Sequence, residues 1–454
     1  MSVLVVGVSH KTAPVAVLER LALDADGMVK LATDAAAAEH VTEATVVATC
    51  NRLEVYAEVD RFHGSIEEVS RLLVERSGES SGALVPHLYV HYDESAVAHL
   101  FHVASGLDSM AVGEAQILGQ TRDALRLGQE LGTVGPALNS LFQQALRVGK
   151  RAHAETDIDH SAPSMVQAAL SLSGDAADPA ELVRGRRVLV VGAGSMAALA
   201  TATVARFGAA RVTVANRSPE AADRLAAEHG AVAVALADLP DALGDADVII
   251  TCTGATGLLV TRDMVETALS GRPADQGLLV VDLALPHDVE PTVRDVAGVT
   301  LVDLTMLAEQ RSHANESADE SADETVSEGA SEDAIEGVRR IVAEEVTAFA
   351  SARRQASVTP TVVALRSMAT SVVDAEVERL DSRLPELDPA VRAELLQTVR
   401  RVADKLLHQP TVRVKELADA QDGVSYATAL AELFSLDPEA VDAVTRANVT
   451  EERP

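Results

Sequence analysis

Cys50 is the side chain in this sequence best placed to act as a nucleophile. It stands in Thr49-Cys50-Asn51-Arg52, between apolar runs that predict β-strands over Thr45–Thr49 and Leu53–Val59. The thiolate is the reactive form of cysteine, and a cation two residues away, here Arg52, favours that form. The segment is equally consistent with a buried structural thiol.

A second candidate site is a glycine-containing turn that follows a buried strand. The run Val188–Val191 leads into Gly192-Ala193-Gly194-Ser195-Met196-Ala197 and then into a long Ala-rich segment that predicts a helix. Gly192 allows a tight turn, Gly194 lets the backbone approach a pyrophosphate, and the small Ala197 lets the helix pack closely on the strand. A turn in a sheet that binds no nucleotide is the weaker alternative.

The end of the next predicted strand indicates which cofactor would bind. It reads Val214-Ala215-Asn216-Arg217-Ser218, with a base and polar neutral side chains where an NAD-dependent enzyme usually carries an acid for the ribose 2′-hydroxyl. Asn216, Arg217 and Ser218 suit a 2′-phosphate, so the sequence favours NADPH over NADH. Cys252 ends a later strand of this region with no adjacent base, and we interpret it as a packing residue.

Two histidines and a polar tract follow in the N-terminal part. His99 and His102 are three residues apart on a predicted helix, a spacing that can present two imidazoles to a metal, but no third ligand is recognisable nearby and we predict no metal site. The tract 104–120 brings Ser, Asp, Glu and Gln into a segment that would otherwise be core. This composition suits a pocket for a polar substrate, although helix capping alone would account for Asp108 and Ser109.

Three domains are needed to position these residues, and 454 residues are about three typical domain lengths. Residues 1–160 alternate short strands with helices and then turn helical, which predicts an α+β domain. Residues 161–308 alternate buried strands with helix-length segments, the rhythm of a doubly wound parallel sheet. Residues 309–454 have almost no strand signal, so the fold class is α/β and multidomain with an all-helical C-terminal part.

Helical patterns in the C-terminal part cover about Ala334–Ser357, Pro360–Leu384 and a segment from Asp388 to Leu407. Long helices with apolar stripes and few loops cannot bury those stripes alone, so we expect a dimerisation or docking domain. An acidic tract, 316–336, precedes them with nine acids and no base. We expect this tract to be disordered or a solvated loop.

The overall charge limits the possible partners. Lys and Arg total 38 against 69 Asp and Glu, a formal net charge of −31, which excludes a bulk electrostatic grip on nucleic acid or anionic membrane. An anionic partner must therefore be met by local basic clusters. The candidates are Arg122 with Arg126; Arg147, Lys150 and Arg151; and Arg400, Arg401 and Lys405.

The cysteine count and the apolar runs bear on the compartment. Two cysteines cannot make a disulfide framework, which points to a reducing environment. The apolar run at the N-terminus is too short for a signal peptide, and no run approaches the roughly 18 residues that a membrane span needs. We therefore predict a cytoplasmic protein.

Taken together, these features resemble the glutamyl-tRNA reductase family. The resemblance covers nearly the whole chain and rests on long, ordered motifs. They are Gly7-Val8-Ser9-His10-Lys11-Thr12-Ala13-Pro14, Thr49–Arg52 with Glu54 and Tyr56, the run from His99 to Gln120, Glu155–Ile158, the nucleotide turn, Asp282–Pro286 with Asp288–Pro291, and Leu407–Thr411.

The resemblance implies an N-terminal catalytic domain that binds glutamyl-tRNA, a Rossmann-like NADPH domain and a helical dimerisation domain joined by a long helix. The implied activity is NADPH-dependent reduction of glutamyl-tRNA to glutamate-1-semialdehyde, the first step of tetrapyrrole synthesis from glutamate. Cys50 would attack the ester that links glutamate to tRNA and form a thioester, which hydride would then reduce. The implied partners are a second copy of the chain and glutamate-1-semialdehyde aminomutase, which would receive the aldehyde.

The resemblance also assigns roles to individual residues. Arg52 would clamp the substrate carboxylate, and His99 matches a position important for activity. The other residues that match the substrate pocket are Thr49, Asn51, Ser109, Glu114, Ala115, Gln116 and Gln120. Those that match the cofactor site are Gly192, Ala193, Gly194, Ser195, Met196, Ala197, Asn216, Arg217 and Ser218.

The chain departs from the family pattern at two places. Position 115 is Ala where Pro is common, and the acidic tract 316–336 resembles an insertion where relatives continue a long helix. Two other functions stay open at this point: an NADP-dependent reductase of a different activated acyl group, and a non-catalytic protein that binds NADP or tRNA. A requirement for charged tRNA distinguishes the first alternative, and a covalent glutamyl thioester on Cys50 distinguishes the second.

Overall fold

The computed structural model describes residues 2–110, 112–113, 116–156, 158, 165–174, 178–254, 257–270, 272–273, 276–310, 332–417, 429–434 and 436. The chain separates into two compact units, one up to Val342 and the other from Ala343 onward. The first unit contains both sheets described below, and the second is built from long helices.

The first sheet is antiparallel, with strands β1 (Ser2–Ser9), β2 (Val41–Thr49), β3 (Arg52–Val59) and β4 (Tyr89–Tyr92) in the order β2-β3-β1-β4. Every residue of the interior strand β3 is buried. Because successive side chains of a strand point to opposite faces, both faces of the sheet must be covered.

Helices cover this sheet on both sides. They are α1 (Val15–Leu21), α2 (Ala25–Ala36), α3 (Phe62–Ser77), α4 (Ser81–Leu84), α5 (Glu94–Ala104), α6 (Gln116–Leu131) and α7 (Pro136–Glu155). Residues of α1, α2 and α3 share one apolar core with alternate residues of the strands. On the other side, Tyr56 of β3 meets Phe142 of α7 edge to face, and the Thr45 hydroxyl donates to the Ala124 carbonyl of α6 at 2.7 Å.

The second sheet is parallel and doubly wound. Its elements are α8 (Met165–Ser171), β5 (Arg187–Val191), α9 (Ser195–Arg206), β6 (Arg211–Asn216), α10 (Pro219–His229), β7 (Val232–Ala235), α11 (Leu239–Asp245), β8 (Val248–Thr251), α12 (Arg262–Leu269), β9 (Leu278–Asp282) and β10 (Val299–Asp303). The strand order is β10-β9-β8-β5-β6-β7, so the chain reverses direction across the sheet at β5. Ligands of such sheets bind at this switch point, beyond the carboxyl ends of the strands.

The helical part contains α13 (Glu332–Arg383) and α14 (Pro389–Leu417). Val358 and Leu365 of α13 pack with Leu407 of α14 and with Leu430 and Leu436 in one apolar cluster. The predicted fold class, α/β with a Rossmann-like sheet and an all-helical C-terminal part, is confirmed.

The prediction that Pro360 begins a new helix is wrong, because α13 runs through it. Proline removes one backbone hydrogen bond and crowds the preceding turn. Here Val358, Val362 and Leu365 on either side of the proline are buried, and this packing outweighs the local preference for a break.

The prediction for the acidic tract is wrong for its last five residues, because 332–336 form the first turn and a half of α13. Glu332 and Asp333 lie in that first turn, where negative charge is favoured by the helix dipole. Residues 316–331 lie outside the described residues. Within the described ranges, no helix is long and apolar enough to cross a membrane.

Candidate active site

Cys50 lies in a two-residue turn that joins β2 to β3. Thr49 and Arg52 are paired in register on the two strands, so Cys50 and Asn51 form the connection. The Asn51 amide donates to the Thr49 hydroxyl oxygen at 3.0 Å, and the His10 amide donates to the Asn51 carbonyl at 2.9 Å. These two bonds hold the turn, and with it the thiol, at the end of the sheet.

One small cavity adjoins this turn and collects most of the predicted substrate residues. Its lining is Thr49, Cys50, Asn51, Arg52, Ser109, Gln116, Ile117 and Gln120. The cavity measures about 10 Å³, room for about one water molecule. Asn51 is buried, and its amide oxygen has no hydrogen-bond partner among the described residues. Of the remaining predicted substrate residues, Glu114 and Ala115 lie outside the described residues.

Arg52 is held in a buried ion-pair network. Its side chain is 1% exposed, and Nη1 lies 2.8 Å from Glu54 Oε1 and 3.0 Å from Asp108 Oδ2. Nη2 donates to the Asp108 carbonyl, and Lys11 Nζ pairs with the Asp108 carboxylate. Burial opposes ionisation of Asp108, but Arg52 and Lys11 outweigh it and lower the pKa of Asp108 below its usual value. The cation next to Cys50 is thus already balanced by two carboxylates.

Glu54 is the centre of this network and was not predicted as a site residue. Its carboxylate accepts from Arg52, from Tyr56 Oη at 2.7 Å, from Tyr89 Oη and from His99 Nε2 at 2.8 Å. Burial opposes its ionisation, but the charges of Arg52 and His99 outweigh it, so the pKa of Glu54 is lowered. Polar residues at alternate positions 52, 54 and 56 of an otherwise apolar strand lie on one face, and this pattern was the available signal.

His99 lies on α5 and adjoins a second, larger cavity. That cavity measures about 290 Å³ and is lined by Lys11, His99, His102, Leu107, Asp108, Val112, Ile335 and Arg339. The His99 ring stacks on His91 with centroids 4.3 Å apart. Burial lowers the pKa of His91 and of His102. Among the described residues no group of three or more His, Cys, Asp or Glu side chains is arranged to hold a metal.

The nucleotide turn has the shape that a pyrophosphate requires. Gly192 has φ +123°, and a Cβ there would meet the Cys252 carbonyl oxygen at 2.9 Å, so the position needs glycine. Gly194 precedes the first turn of α9, and a Cβ there would meet no described residue within 4 Å. The first amides of a helix have no partners within the helix, so those of α9 are the donors available to a pyrophosphate at this turn. The residues present therefore fit a dinucleotide.

The side chains at the end of β6 are exposed or half-buried. The Ser218 hydroxyl caps α10 by accepting from the Ala221 amide at 3.3 Å, and Asn216 Nδ2 donates to the Ser218 carbonyl at 3.2 Å. Arg217 is exposed between them. Cys252 donates its thiol to the Val191 carbonyl at 3.5 Å, and burial raises its pKa, in keeping with a packing role.

The cavity at Cys50 and the nucleotide turn adjoin each other. Gln116 Nε2, in the cavity lining, lies 3.9 Å from Met196 Sδ in the turn. Cys50 itself packs against the apolar core that includes Ala197 and Val190 of the nucleotide-binding sheet. The Cys50 thiol and the nucleotide turn (Gly192–Ala197) are therefore neighbours in the fold. We call this turn, together with the end of β6, the dinucleotide cradle.

Comparisons with known proteins cover nearly the whole chain. Family models match three segments: "Glutamyl-tRNAGlu reductase, N-terminal domain" at 6–156, "Shikimate / quinate 5-dehydrogenase" at 176–309, and "Glutamyl-tRNAGlu reductase, dimerisation domain" at 337–436. Glutamyl-tRNA reductase 1 of Nocardioides sp. is 67% identical over 447 residues, 98% of this chain and 99% of that protein. The reductase of Thermobifida fusca is 46% identical over 482 residues, 98% of each chain.

A solved structure is also similar to this chain. Glutamyl-tRNA reductase from Methanopyrus kandleri is 28% identical, with a TM-score of 0.45, and the match covers 96% of this chain and 99% of that one.

Proposed function

We propose, because the chain belongs to the glutamyl-tRNA reductase family, that it reduces glutamyl-tRNA to glutamate-1-semialdehyde with NADPH, through a thioester on Cys50. The family catalyses the first committed step of tetrapyrrole synthesis, and the relatives that match the chain from end to end carry that name. An enzyme with a nicotinamide cofactor is in keeping with the dehydrogenase-like segment.

The observation that carries this proposal is the cavity at Cys50. It gathers a thiol, a guanidinium and several amide and hydroxyl groups from the β2–β3 turn and the strand ends beside it, from Ser109 between α5 and α6, and from α6. It also adjoins the dinucleotide cradle through Gln116 and Met196. A nucleophile, polar groups for an amino-acid side chain and a place for a hydride donor thus meet at one point.

The first step is transfer of the glutamyl group to the enzyme. The Cys50 thiolate attacks the carbonyl carbon of the ester, the carbon–oxygen bond to the ribose breaks, and the tRNA leaves as an alcohol after taking up a proton. The product is a thioester. A thioester accepts hydride more readily than a carboxylic acid, so the covalent step prepares the reduction.

The second step releases the aldehyde from the enzyme. When bound, the cofactor supplies a hydride for the thioester carbonyl carbon. Cys50 holds that carbon next to the nucleotide turn and departs as a thiolate when the aldehyde forms, so the nucleophile is regenerated. The free aldehyde is reactive toward water and amines, and transfer to an aminomutase would protect it.

Substrate recognition is assigned to the lining of the same cavity. Arg52 suits a carboxylate of the glutamyl group, because guanidinium binds carboxylate in a bidentate manner. The buried Asn51 amide oxygen, which accepts no hydrogen bond from the part of the chain that the structure describes, suits the substrate's ammonium group. A glutamyl group needs far more room than the present 10 Å³, so the cavity must widen on binding. Glu114 and Ala115 retain their predicted place in this pocket, and His99 its predicted role in activity.

The cofactor is assigned to the cradle at β5 and β6. Residues 192–197 would hold the pyrophosphate with backbone amides, and Asn216, Arg217 and Ser218 would hold a 2′-phosphate. The absence of an acid at these three positions supports NADPH rather than NADH.

The assembly is assigned to the helical part. On α14 an apolar stripe is exposed, formed by Val391, Leu395, Val399, Val402 and Leu406. Its spacing of three and four residues places these side chains on one face of the helix. Together with the dimerisation-domain match, the stripe supports a homodimer. The tRNA contacts at the basic clusters and the cytoplasmic location remain predictions.

The proposal is tested by comparing substrates and cysteine variants. The purified chain should form semialdehyde from glutamyl-tRNA and NADPH, and none from free glutamate with ATP and NADPH. Cys50→Ser should bind tRNA yet form no semialdehyde, whereas the matched variant Cys252→Ser should retain activity because its hydroxyl can still donate to the Val191 carbonyl. Normal turnover by Cys50→Ser would overturn the mechanism.

A further inference from the structure

We propose that the larger cavity beside His99 binds the 3′-terminal adenylate of the tRNA, with Lys11 and Arg339 holding its phosphate. The inference rests on the proposed function, and it names where the leaving group of the first step is held. Among the described residues, this cavity shares none of those predicted for the substrate pocket, and His99, predicted as catalytic, is in its lining.

The cavity is assembled from three separate elements. Lys11 lies in the loop after β1, His99 and His102 lie on α5, and Arg339 lies on α13. Its volume of about 290 Å³ is close to the lower end of the range for small-molecule sites. A mononucleotide is a ligand of that scale, whereas the cavity at Cys50 is far too small for one.

The charges lining this cavity favour an anion. Among its lining residues are two cations, Lys11 and Arg339, and one acid, Asp108. Asp108 is paired with both Lys11 and the buried Arg52, so part of the Lys11 charge is already compensated and Arg339 is the cation more available to a ligand. The Arg339 side chain is 62% exposed and lies 3.6 Å from Glu336 on its own helix, a surface pair that a phosphate can displace at little cost.

The position of the cavity matches the geometry of the ester. Asp108 lines this cavity, and its carbonyl and carboxylate contact Arg52, which lines the cavity at Cys50. The two cavities are therefore separated by one side-chain pair. The bond that Cys50 breaks joins a glutamyl group to an adenosine, so the acyl part and the alcohol part each have an adjoining site.

The test measures binding of tRNA by the full chain. Arg339→Gln and Lys11→Gln remove the two cations, and Arg340→Gln is the matched control, an exposed arginine next in sequence that does not line the described cavity. Each protein is titrated with intact tRNA and with tRNA from which the terminal adenylate has been removed, at several salt concentrations.

We expect Arg339→Gln to weaken binding of intact tRNA roughly tenfold at low salt, as loss of one charged hydrogen bond does. The slope of log K against log salt should become shallower by about 0.7, the value for one single-strand phosphate. Binding of the shortened tRNA should not change, and Lys11→Gln should behave in the same way. For Arg340→Gln, the ratio of the affinities for intact and shortened tRNA should equal that of the unchanged chain.

Equal weakening of both tRNAs by Arg339→Gln, or no weakening of either, would overturn the inference. The function itself is judged on the unchanged chain by the semialdehyde assay with glutamyl-tRNA. If that assay yields no semialdehyde, the proposed function is overturned. If semialdehyde forms but Arg339→Gln does not selectively weaken binding of intact tRNA, only the adenylate site is overturned.

Discussion

Arg52 and Glu54 form a buried pair whose surroundings supply a partner for each group. Glu54 is fully buried and accepts from four side chains, while Arg52 is shared between Glu54 and Asp108. Removing one member of a buried pair leaves the other charge in a poorly solvating environment. We therefore ascribe to Glu54 a positioning role, in which it orients Arg52 toward the substrate and His99 toward its cavity.

Glu54→Gln should destabilise the protein and impair catalysis together. The neutral amide cannot balance Arg52 and His99, and loss of one member of a buried pair costs about 3 kcal/mol. Thermal unfolding followed by circular dichroism should show a clear fall in the midpoint. The control is Glu75→Gln, which alters an exposed pair with Arg71 and should cost less than about 1 kcal/mol. Equal midpoints for the two variants would contradict the buried network.

At the residue scale, the sequence around Cys50 predicts the position of the thiol and its neighbours but not which charges pair with them. A cysteine between two apolar runs predicts a turn at the end of strands, and the structure has one. The pairing of Arg52 with Asp108 joins residues 56 positions apart, and only the tertiary fold brings them together. Glu54 and Tyr56 belong to a sequence motif, but the hydrogen bond between them depends on both side chains lying on the same face of β3.

At the scale of elements, α13 shows where a local rule yields to packing. Proline favours a helix boundary, and the sequence between Ser357 and Pro360 predicts one, yet the helix continues. The apolar residues around the proline are buried against a neighbouring cluster, and that information is not local. Strands β5, β6, β8 and β9, by contrast, were predictable because each is a short, largely buried run between helical segments. Strands β7 and β10 were not predicted, and β7 is exposed or half-buried along its length, so it lacks the apolar signal.

The carboxyl end of β6 should determine the cofactor. Arg217→Ala removes the cation assigned to the 2′-phosphate, so the KM for NADPH should rise roughly tenfold while that for NADH changes little. Steady-state kinetics with both cofactors check this. Arg211→Ala at the amino end of the same strand is the control and should leave both constants unchanged. A similar rise in both constants would indicate a structural effect instead.

At the scale of the whole first unit, His287 links the domain of the parallel sheet to the domain of the antiparallel sheet. The His287 amide donates to Glu19 of α1 at 3.2 Å, and its ring lies 3.5 Å from Glu19 and 3.3 Å from Asp282. The hydrogen bond to Asp282 raises the pKa of His287 above 6.5. Sequence patterns cannot show this link, because it joins residues 268 positions apart.

This link predicts a pH dependence of stability. The folded state favours protonated His287, so its contribution is present in full below 6.5 and is lost as pH rises through the raised value. The midpoint difference between the unchanged chain and His287→Gln should therefore be larger near pH 6 than near pH 8.5. The same pair of proteins is also compared with Asp288→Asn in both, because burial raises the pKa of nearby Asp288 to about 6 and His287 acts on that titration. A midpoint difference that stays constant or grows as pH rises from 6 to 8.5 would contradict this role of His287.

The exposed apolar stripe on α14 predicts where two copies of the chain meet. Val402 and Leu406 are 53% and 70% exposed in the single chain, as expected for an interface with a second copy. Val402→Glu with Leu406→Glu should shift the protein from dimer to monomer in sedimentation velocity experiments. Gln397→Glu, on the opposite face of α14, adds charge without touching the stripe and should remain dimeric. A dimer that survives the double substitution would place the interface elsewhere.

The central claim, that Cys50 carries the glutamyl group, is tested most directly by trapping it. The full chain is mixed with radiolabelled glutamyl-tRNA without cofactor, and the protein is denatured in acid, digested and mapped. We predict a hydroxylamine-labile label on the peptide containing Cys50, which disappears and yields semialdehyde when NADPH is added before denaturation. A chain that forms semialdehyde on full turnover but carries no label on Cys50 would contradict the account.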